Sequence, residues 1–316
     1  MVIKESKVKK EIPIVFSVDD NYAPLLGVTL QSIKENKSDE YFYNIFVLNT
    51  GIGEENLKIL GKYSQDNMHI SFVDVSNELK KIADKICLRD YYTCTTYFRF
   101  FIPELFPQYD KVLYLDCDIV LLDDVANLYN HNIDNHLLGA IPEDIMPSHQ
   151  AFTDYVEKGL GIKVEKYFSA GIILINSKAF REQNIINQLI QLLSQFKFEV
   201  TQDEDYLNVV CKDKVKYIDQ GWNKAPIPDS DFDEKDLKLI HYKINYRPWR
   251  YDNVMYGDYF WKYAENSDYY NHLMEYKDNY SEELKQRDEK MFISLVQRAK
   301  DYILRDDCYC KVMGRA

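Results

Sequence analysis

Short apolar runs of strand length alternate along the first two thirds of the chain with segments whose apolar residues recur every three or four positions. Residues 12–18, 45–48, 70–75, 111–115 and 172–175 read as buried strands, and 216–218 and 237–240 add two more. Helical spacing predicts helices over 22–35, 54–65, 95–105, 179–196 and 203–210. Strands alternating with helices imply an α/β fold, a mostly parallel central sheet flanked by helices. Ligands of such sheets bind beyond the carboxyl ends of the strands, near a topological switch point. Polar groups collect at those ends here: Asp19-Asp20-Asn21-Tyr22 after the first strand, Asp116-Cys117-Asp118 after a central one, and His241 after a late one.

The pattern changes after Trp249. Residues 251–280 hold eight tyrosines with Phe260 and Trp261, and an amphipathic helix is predicted from 281 to 304. The chain therefore divides into residues 1–250, a catalytic or binding domain, and 251–316, an aromatic-rich helical extension. The tyrosines suit packing between that extension and the sheet better than stacking on a ligand. The mixed charge of the amphipathic tail favours docking on its own domain, with a peripheral membrane contact as the second option.

Composition narrows the class. With 316 residues, 46% hydrophobic and 28% charged, the chain reads as an ordinary globular protein large enough for a substantial core. A formal charge of −12 argues against a nucleic-acid binder, because phosphate backbones are gripped by basic faces. No apolar run approaches the ~20 residues of a membrane span. The six cysteines show no metal-ligand or redox spacing, and free thiols fit a cytoplasmic location, including the inner face of the membrane.

The segment Leu113 to Leu121 carries the most chemical information. It places two carboxylates two residues apart inside a run that reads as buried strand, so Asp116 and Asp118 share a face while Cys117 turns away. Desolvating such a pair calls for a cation, and hard oxygen ligands suit Mn²⁺ or Mg²⁺. The plain alternative is a polar turn with each acid solvated. Asp19, Asn21 and Tyr22 supply a helix cap, or a base pocket in which the ring stacks and the acid reads the edge. Asp203, Glu204 and Asp205 open a helix and favour its dipole, or turn at least one carboxylate into a pocket. His241 is a structural histidine or a third metal ligand, and Arg247 is placed to meet phosphate. Glycine-rich phosphate loops of the usual kinds are missing from the sequence.

Together these motifs resemble glycosyltransferase family 8, the retaining nucleotide-sugar enzymes that include bacterial lipooligosaccharide galactosyltransferases and glycogenin. The likeness extends over roughly residues 12–250 through Ile14 to Tyr22, Thr96-Tyr97-Phe98-Arg99, Lys111 to Asp118, Phe168-Ser169-Ala170-Gly171, Gln202 to Asp205, and His241 to Trp249. It implies a GT-A type nucleotide-binding fold. It also implies Asp19, Asn21 and Tyr22 around the uridine of a UDP-sugar, and Mn²⁺ or Mg²⁺ on Asp116, Asp118 and His241. Arg99, Asp203 and Ser169 would lie at the donor sugar, Arg247 at the diphosphate, and Glu204 and Asp205 close to the reacting carbon. The implied reaction transfers galactose or glucose to a carbohydrate or glycolipid acceptor, by a front-face route since no activated nucleophile can be placed. Covalent attack by Glu204 or Asp205 is the alternative route. The chain departs from the family at Ser169, where Asn is usual, at Glu204, where Gln is favoured, and at Ile244 and Arg247, where Gly and Lys prevail. These departures motivate a second reading, a nucleotide-sugar-binding protein with little or no turnover. A metal-dependent phosphohydrolase is the rival enzyme class.

Overall fold

The computed structural model describes residues 9–85 and 94–314; Cys87, expected to be a free thiol, lies outside them. Seven strands form one sheet: β1 (Lys10–Ser17), β2 (Tyr41–Asn49), β3 (Met68–Asp74), β4 (Val112–Leu115), β6 (Leu138–Pro142), β7 (Phe168–Ile175) and β8 (Val215–Tyr217). A separate antiparallel pair joins β5 (Ile119–Leu121) to β9 (Leu239–His241). The order across the large sheet is β3-β2-β1-β4-β7-β6-β8. All neighbours run parallel except β7, which is antiparallel to both β4 and β6. Central strands with continuous apolar runs are buried on both faces, β4 and β7 along their whole length, whereas β3 at the edge alternates with exposed residues.

The chain winds outward from β1 to β3 and then returns to place β4 on the other side of β1. The carboxyl ends of β1 and β4 thus lie side by side at a switch point. Because β7 runs the opposite way, its beginning lies beside the end of β4, with Leu115 paired to Ile172. Ser169, Ala170 and Gly171 are drawn to the same place by this one antiparallel strand.

The helix Ala23–Asn36 opens with Pro24 in its first turn and is buried along most of its length. Gly27 lets the ring of Tyr269 approach so closely that a Cβ would sit 2.3 Å from a ring carbon. The tyrosine-rich segment accordingly folds as the helices Gly257–Glu265 and Tyr270–Asp278, with Phe260, Tyr263, Tyr269 and Leu273 in the core shared with Ala23–Asn36. The tail forms the helix Glu282–Leu304, whose buried face lies on the helix Gln150–Asp154 and the π-turn that follows it. The apolar stripe considered for a membrane face is therefore engaged by the protein itself. Among the described residues no helix is long and apolar enough to cross a membrane.

Three sequence expectations need correction. The run from Leu113 to Leu121 is not one strand: residues 116–118 form a turn between β4 and β5. The helix expected over 179–196 is broken at Asn184, whose left-handed backbone (φ 52°, ψ 46°) separates Ser177–Glu182 from Ile185–Gln195. Strand β6 escaped the sequence reading because Gly139 and Pro142 punctuate it, and both residues weaken a strand signal.

Candidate active site

The turn 116–118 is held by hydrogen bonds from three directions. Asp116 N–H donates to the Gly171 carbonyl at 2.7 Å, and Tyr242 N–H donates to the Asp118 carbonyl at 3.0 Å. The Thr29 hydroxyl, inside the buried helix, lies 2.8 Å from the Cys117 and Ile119 carbonyls. Cys117 turns into the core, and the two carboxylates turn the other way, toward His241 at the end of β9. One ligand atom from each of Asp116, Asp118 and His241 fits within a 4.8 Å cluster. His241 Nε2 is 3.3 Å from Asp118 and 3.8 Å from Asp116.

The surroundings suit a hard divalent cation. His241 Nδ1 is 2.8 Å from the Asn223 side-chain oxygen; donation of Nδ1–H there aims the Nε2 lone pair at the two carboxylates. A lone pair facing two anions is stable when a cation or proton lies between them. When a proton rather than a cation occupies Nε2, burial pushes the Asp118 carboxyl up, but the hydrogen bond and charge of His241, with Arg247, hold it below its ordinary value. Gly171 completes the cradle: a Cβ there would lie 2.4 Å from the His241 ring and 2.6 Å from Asp116, so any side chain would displace the ligands.

Arg99 links this cluster to the second acidic run. Its guanidinium is nearly buried, stacks 4.4 Å from the Tyr114 ring centre, and donates to Asp116 at 3.0 Å and to the Ala170 carbonyl at 2.5 Å. Its Nε–H donates to the Thr96 carbonyl, so Asp203, 3.0 Å from Nε, is held by charge. Burial lifts the Asp203 carboxyl to about 7, against the pull of Arg99.

The acids at the start of the helix Asp203–Cys211 fan out in three directions. Asp203 meets Arg99. Glu204 lines the cavity and accepts from Ala170 N–H at 2.8 Å; burial and the nearby Glu143 charge raise its pKa well above the usual carboxyl value. Asp205 is fully buried and accepts from Tyr155 and Tyr167 hydroxyls at 2.7 and 2.8 Å and from Thr201 N–H at 3.1 Å. Asp205 was expected beside the reacting carbon, but its oxygens are consumed by these partners and it does not line the cavity.

The remaining expected residues divide in the same way. Asp19, Tyr22, Ser169 and Arg247 line the cavity with the metal-type cluster. Asp19 also caps the single turn Asp20–Tyr22, accepting from Tyr22 N–H at 3.1 Å. Asn21 is exposed and borders a different surface hollow with Asp20, so it does not line the cavity with Asp19 and Tyr22. Ile244, standing where a glycine was expected, adopts φ 52°, a conformation strained for a β-branched residue.

Sequence reasoning missed Lys243, Glu143 and Asn223. Lys243 Nζ meets Glu143 at 2.6 Å inside the cavity; the facing carboxylates outweigh burial and lift Lys243 to about 12. Glu143 follows β6 as Asp19 follows β1, a signal hidden by the Gly and Pro of that strand. Nothing along the chain marks Asn223, eighteen residues before the histidine it orients.

Comparison with known proteins places this arrangement. The family model for glycosyl transferase family 8 matches residues 13–253. A putative glycosyltransferase of Haemophilus influenzae is 29% identical over 235 residues, 73% of this chain and 68% of that protein. The lipopolysaccharide 1,3-galactosyltransferase of Salmonella typhimurium is 26% identical over 253 residues, covering 75% and 72% of the two chains. Among solved structures, the galactosyltransferase LgtC with donor and acceptor sugar analogs superposes with a TM-score of 0.69 at 27% identity, over 81% of this chain and 96% of LgtC. The bifunctional glycosyltransferase WbbM gives 0.75 at 26% identity over 88% of this chain, which spans about half (53%) of WbbM.

Proposed function

The chain belongs to glycosyl transferase family 8 and is a hexosyltransferase with a GT-A fold; from that premise we propose that it moves galactose or glucose from UDP to a hydroxyl of a glycan or glycolipid precursor. The anomeric configuration is retained in this reading. The observation that carries it is the meeting of Asp116, Asp118 and His241 at the β1–β4 switch point, with Asp19 and Tyr22 on one cavity wall and Asp203 and Glu204 on another.

Asp19 and Tyr22 hold the uridine, the acid by an edge hydrogen bond and the ring by stacking. Asp116, Asp118 and His241 would hold Mn²⁺ or Mg²⁺, and Arg247 would pair with phosphate. When bound, the metal supplies Lewis-acid stabilisation of the charge on departing UDP. Arg99 keeps Asp116 and Asp203 in place, and Asp203 and Ser169 face the donor sugar. Burial and the nearby Glu143 charge raise the Glu204 pKa, which disfavours the free carboxylate that a nucleophilic attack needs. With Asp205 enclosed by phenols, neither acid favours a covalent intermediate, and the front-face route is the better supported one. The buried free thiols Cys117, Cys211 and Cys308 agree with a reducing, cytoplasmic setting.

The test is release of UDP from UDP-galactose and UDP-glucose with and without Mn²⁺. Metal-stimulated release from one donor, abolished by EDTA, is the expected result. Undiminished turnover in excess chelator removes the metal from the reading. UDP-sugar binding by calorimetry with no release from either donor supports the binding-protein reading, to which Ser169, Glu204 and the strained Ile244 would then point.

A further inference from the structure

Arg247 and Arg250 stand three residues apart, yet of the two only Arg247 lines the cavity with the metal-type cluster. The N–H groups of Arg250 and Tyr251 both donate to the Arg247 carbonyl, at 2.9 and 3.0 Å, so residues 247–251 form a single tight turn. Nearly buried on the inner side of that turn, Arg247 acts by its charge on Asp118 and Tyr22. The outer side meets the helix Glu282–Leu304, which lies beyond the family-matched residues 13–253. Asp288 of that helix is 8% exposed and takes three donors. The Tyr280 and Tyr251 hydroxyls donate to it at 2.7 and 2.9 Å, and the Arg250 guanidinium pairs with it at 3.2 Å. Arg250 also stacks 5.1 Å from the Tyr280 ring centre. Farther along, Leu295 of the same helix lines the cavity, so the helix reaches both the turn and the site.

We propose that Asp288 is a positioning residue: by holding Arg250 and Tyr251 it fixes the turn 247–251, so that the Arg247 guanidinium is presented to the phosphates of the bound nucleotide. This rests on the reading above, in which Arg247 pairs with phosphate, and adds that the pairing depends on the C-terminal extension. Attachment of the extension does not explain the cluster. Phe260, Tyr263, Tyr269 and Leu273, with Ala299 and Tyr302, already bury apolar surface against the domain. A buried carboxylate adds little to such packing, because desolvation offsets its Coulombic gain; what it does supply is one preferred geometry for its donors. The charge matters as well. Arg250 is close enough to act on Tyr22, as Arg247 does. With Asp288 removed, a part-buried guanidinium would be left without its counter-charge and would be drawn toward the acids that Arg247 faces. Asp288 thereby sorts two neighbouring cations, one to the helix and one to the cavity.

The experiment measures calorimetric binding of UDP and of uridine to the Mn²⁺-loaded full chain. Arg247→Gln sets the reference: UDP affinity should fall about tenfold, the size of a lost charge-assisted hydrogen bond, and uridine affinity should stay within about twofold. Asp288→Asn should reproduce this loss confined to the phosphates. It should add nothing in the Arg247→Gln background, since the effect passes through that side chain. Tyr251→Phe, a milder cut, should weaken UDP binding about threefold. Tyr280→Phe removes the shorter bond to the same carboxylate without touching the turn, and should leave UDP binding unchanged. Should Asp288→Asn fail to fold, Tyr251→Phe in the two backgrounds carries the same test. Equal losses of UDP and uridine affinity, or additive effects of Asp288→Asn and Arg247→Gln, overturn the positioning role. So does unchanged UDP binding in Asp288→Asn and Tyr251→Phe where Arg247→Gln has its expected effect. Wild-type protein that binds no UDP, or normal binding in Arg247→Gln, overturns instead the reading on which the proposal rests.

Discussion

The acids at 116–118 leave β4 on a turn, whereas those at 203–205 open a helix, and the two runs of similar composition come to differ in almost every respect. In the turn, alternate side chains point one way, so Asp116 and Asp118 converge on His241 and stay partly exposed. In the helix, consecutive side chains point about 100° apart. Asp203 is therefore drawn to Arg99, Glu204 to the cavity and Asp205 into the core between two tyrosines. Convergent acids make a site for one cation. Divergent acids are met singly, by a guanidinium, by a backbone N–H and by a pair of phenols.

Substitutions can break that contrast. The largest effect is expected for Asp118→Ala, which should lower metal-dependent turnover by roughly 10³-fold with little change in melting temperature, the size typical of removing stabilisation from a departing anion. Wild-type activity in this variant would dissolve the distinction between the runs. Asp205→Ala should act on stability instead, costing about 3 kcal/mol in urea unfolding because two buried phenols lose their acceptor. A variant that unfolds like wild type but has lost turnover would return Asp205 to the site.

Asp203→Asn sharpens the comparison through pH. Folded Asp203 titrates near 7 against an ordinary 3.8, so the folded state holds this proton more tightly than the unfolded state does. The stability it contributes is complete below about pH 4, falls as pH rises toward 7, and is flat beyond. Relative to Asp203→Asn, the wild type should therefore lose on the order of 2 kcal/mol between pH 5 and 8 in thermal melts. A constant gap across that range would show that the carboxyl is not held protonated by burial. The smallest effect is expected for Tyr22→Ala, which should raise the dissociation constant for UDP by about tenfold if the ring stacks on the base. An unchanged value would remove Tyr22 from the pocket.

The strand and helix pattern was legible because each buried segment carries its own periodicity, and the strand ends pointed to Asp19, Asp116, Asp118 and His241, which the fold brings to the lining of one cavity. What failed was information held in contacts distant along the chain. Glu143 was hidden behind a strand interrupted by Gly139 and Pro142, and Asn223 has no local signature at all. Asn21 looked as eligible as Asp19, since a turn's local pattern does not say which of its members faces inward.

The amino-acid sequence by itself determined the α/β class, the family and the residues able to bind a cation, because these depend on periodicity and on short motifs. Only the tertiary structure decided that Asp205 is a core acid, that Arg99 bridges two carboxylates, and that the C-terminal helix supplies Leu295 to the cavity. The physical reason is that a side chain's role follows from what surrounds it. Burial, an opposing charge or a waiting hydrogen-bond donor is set by segments that meet only when the chain has folded.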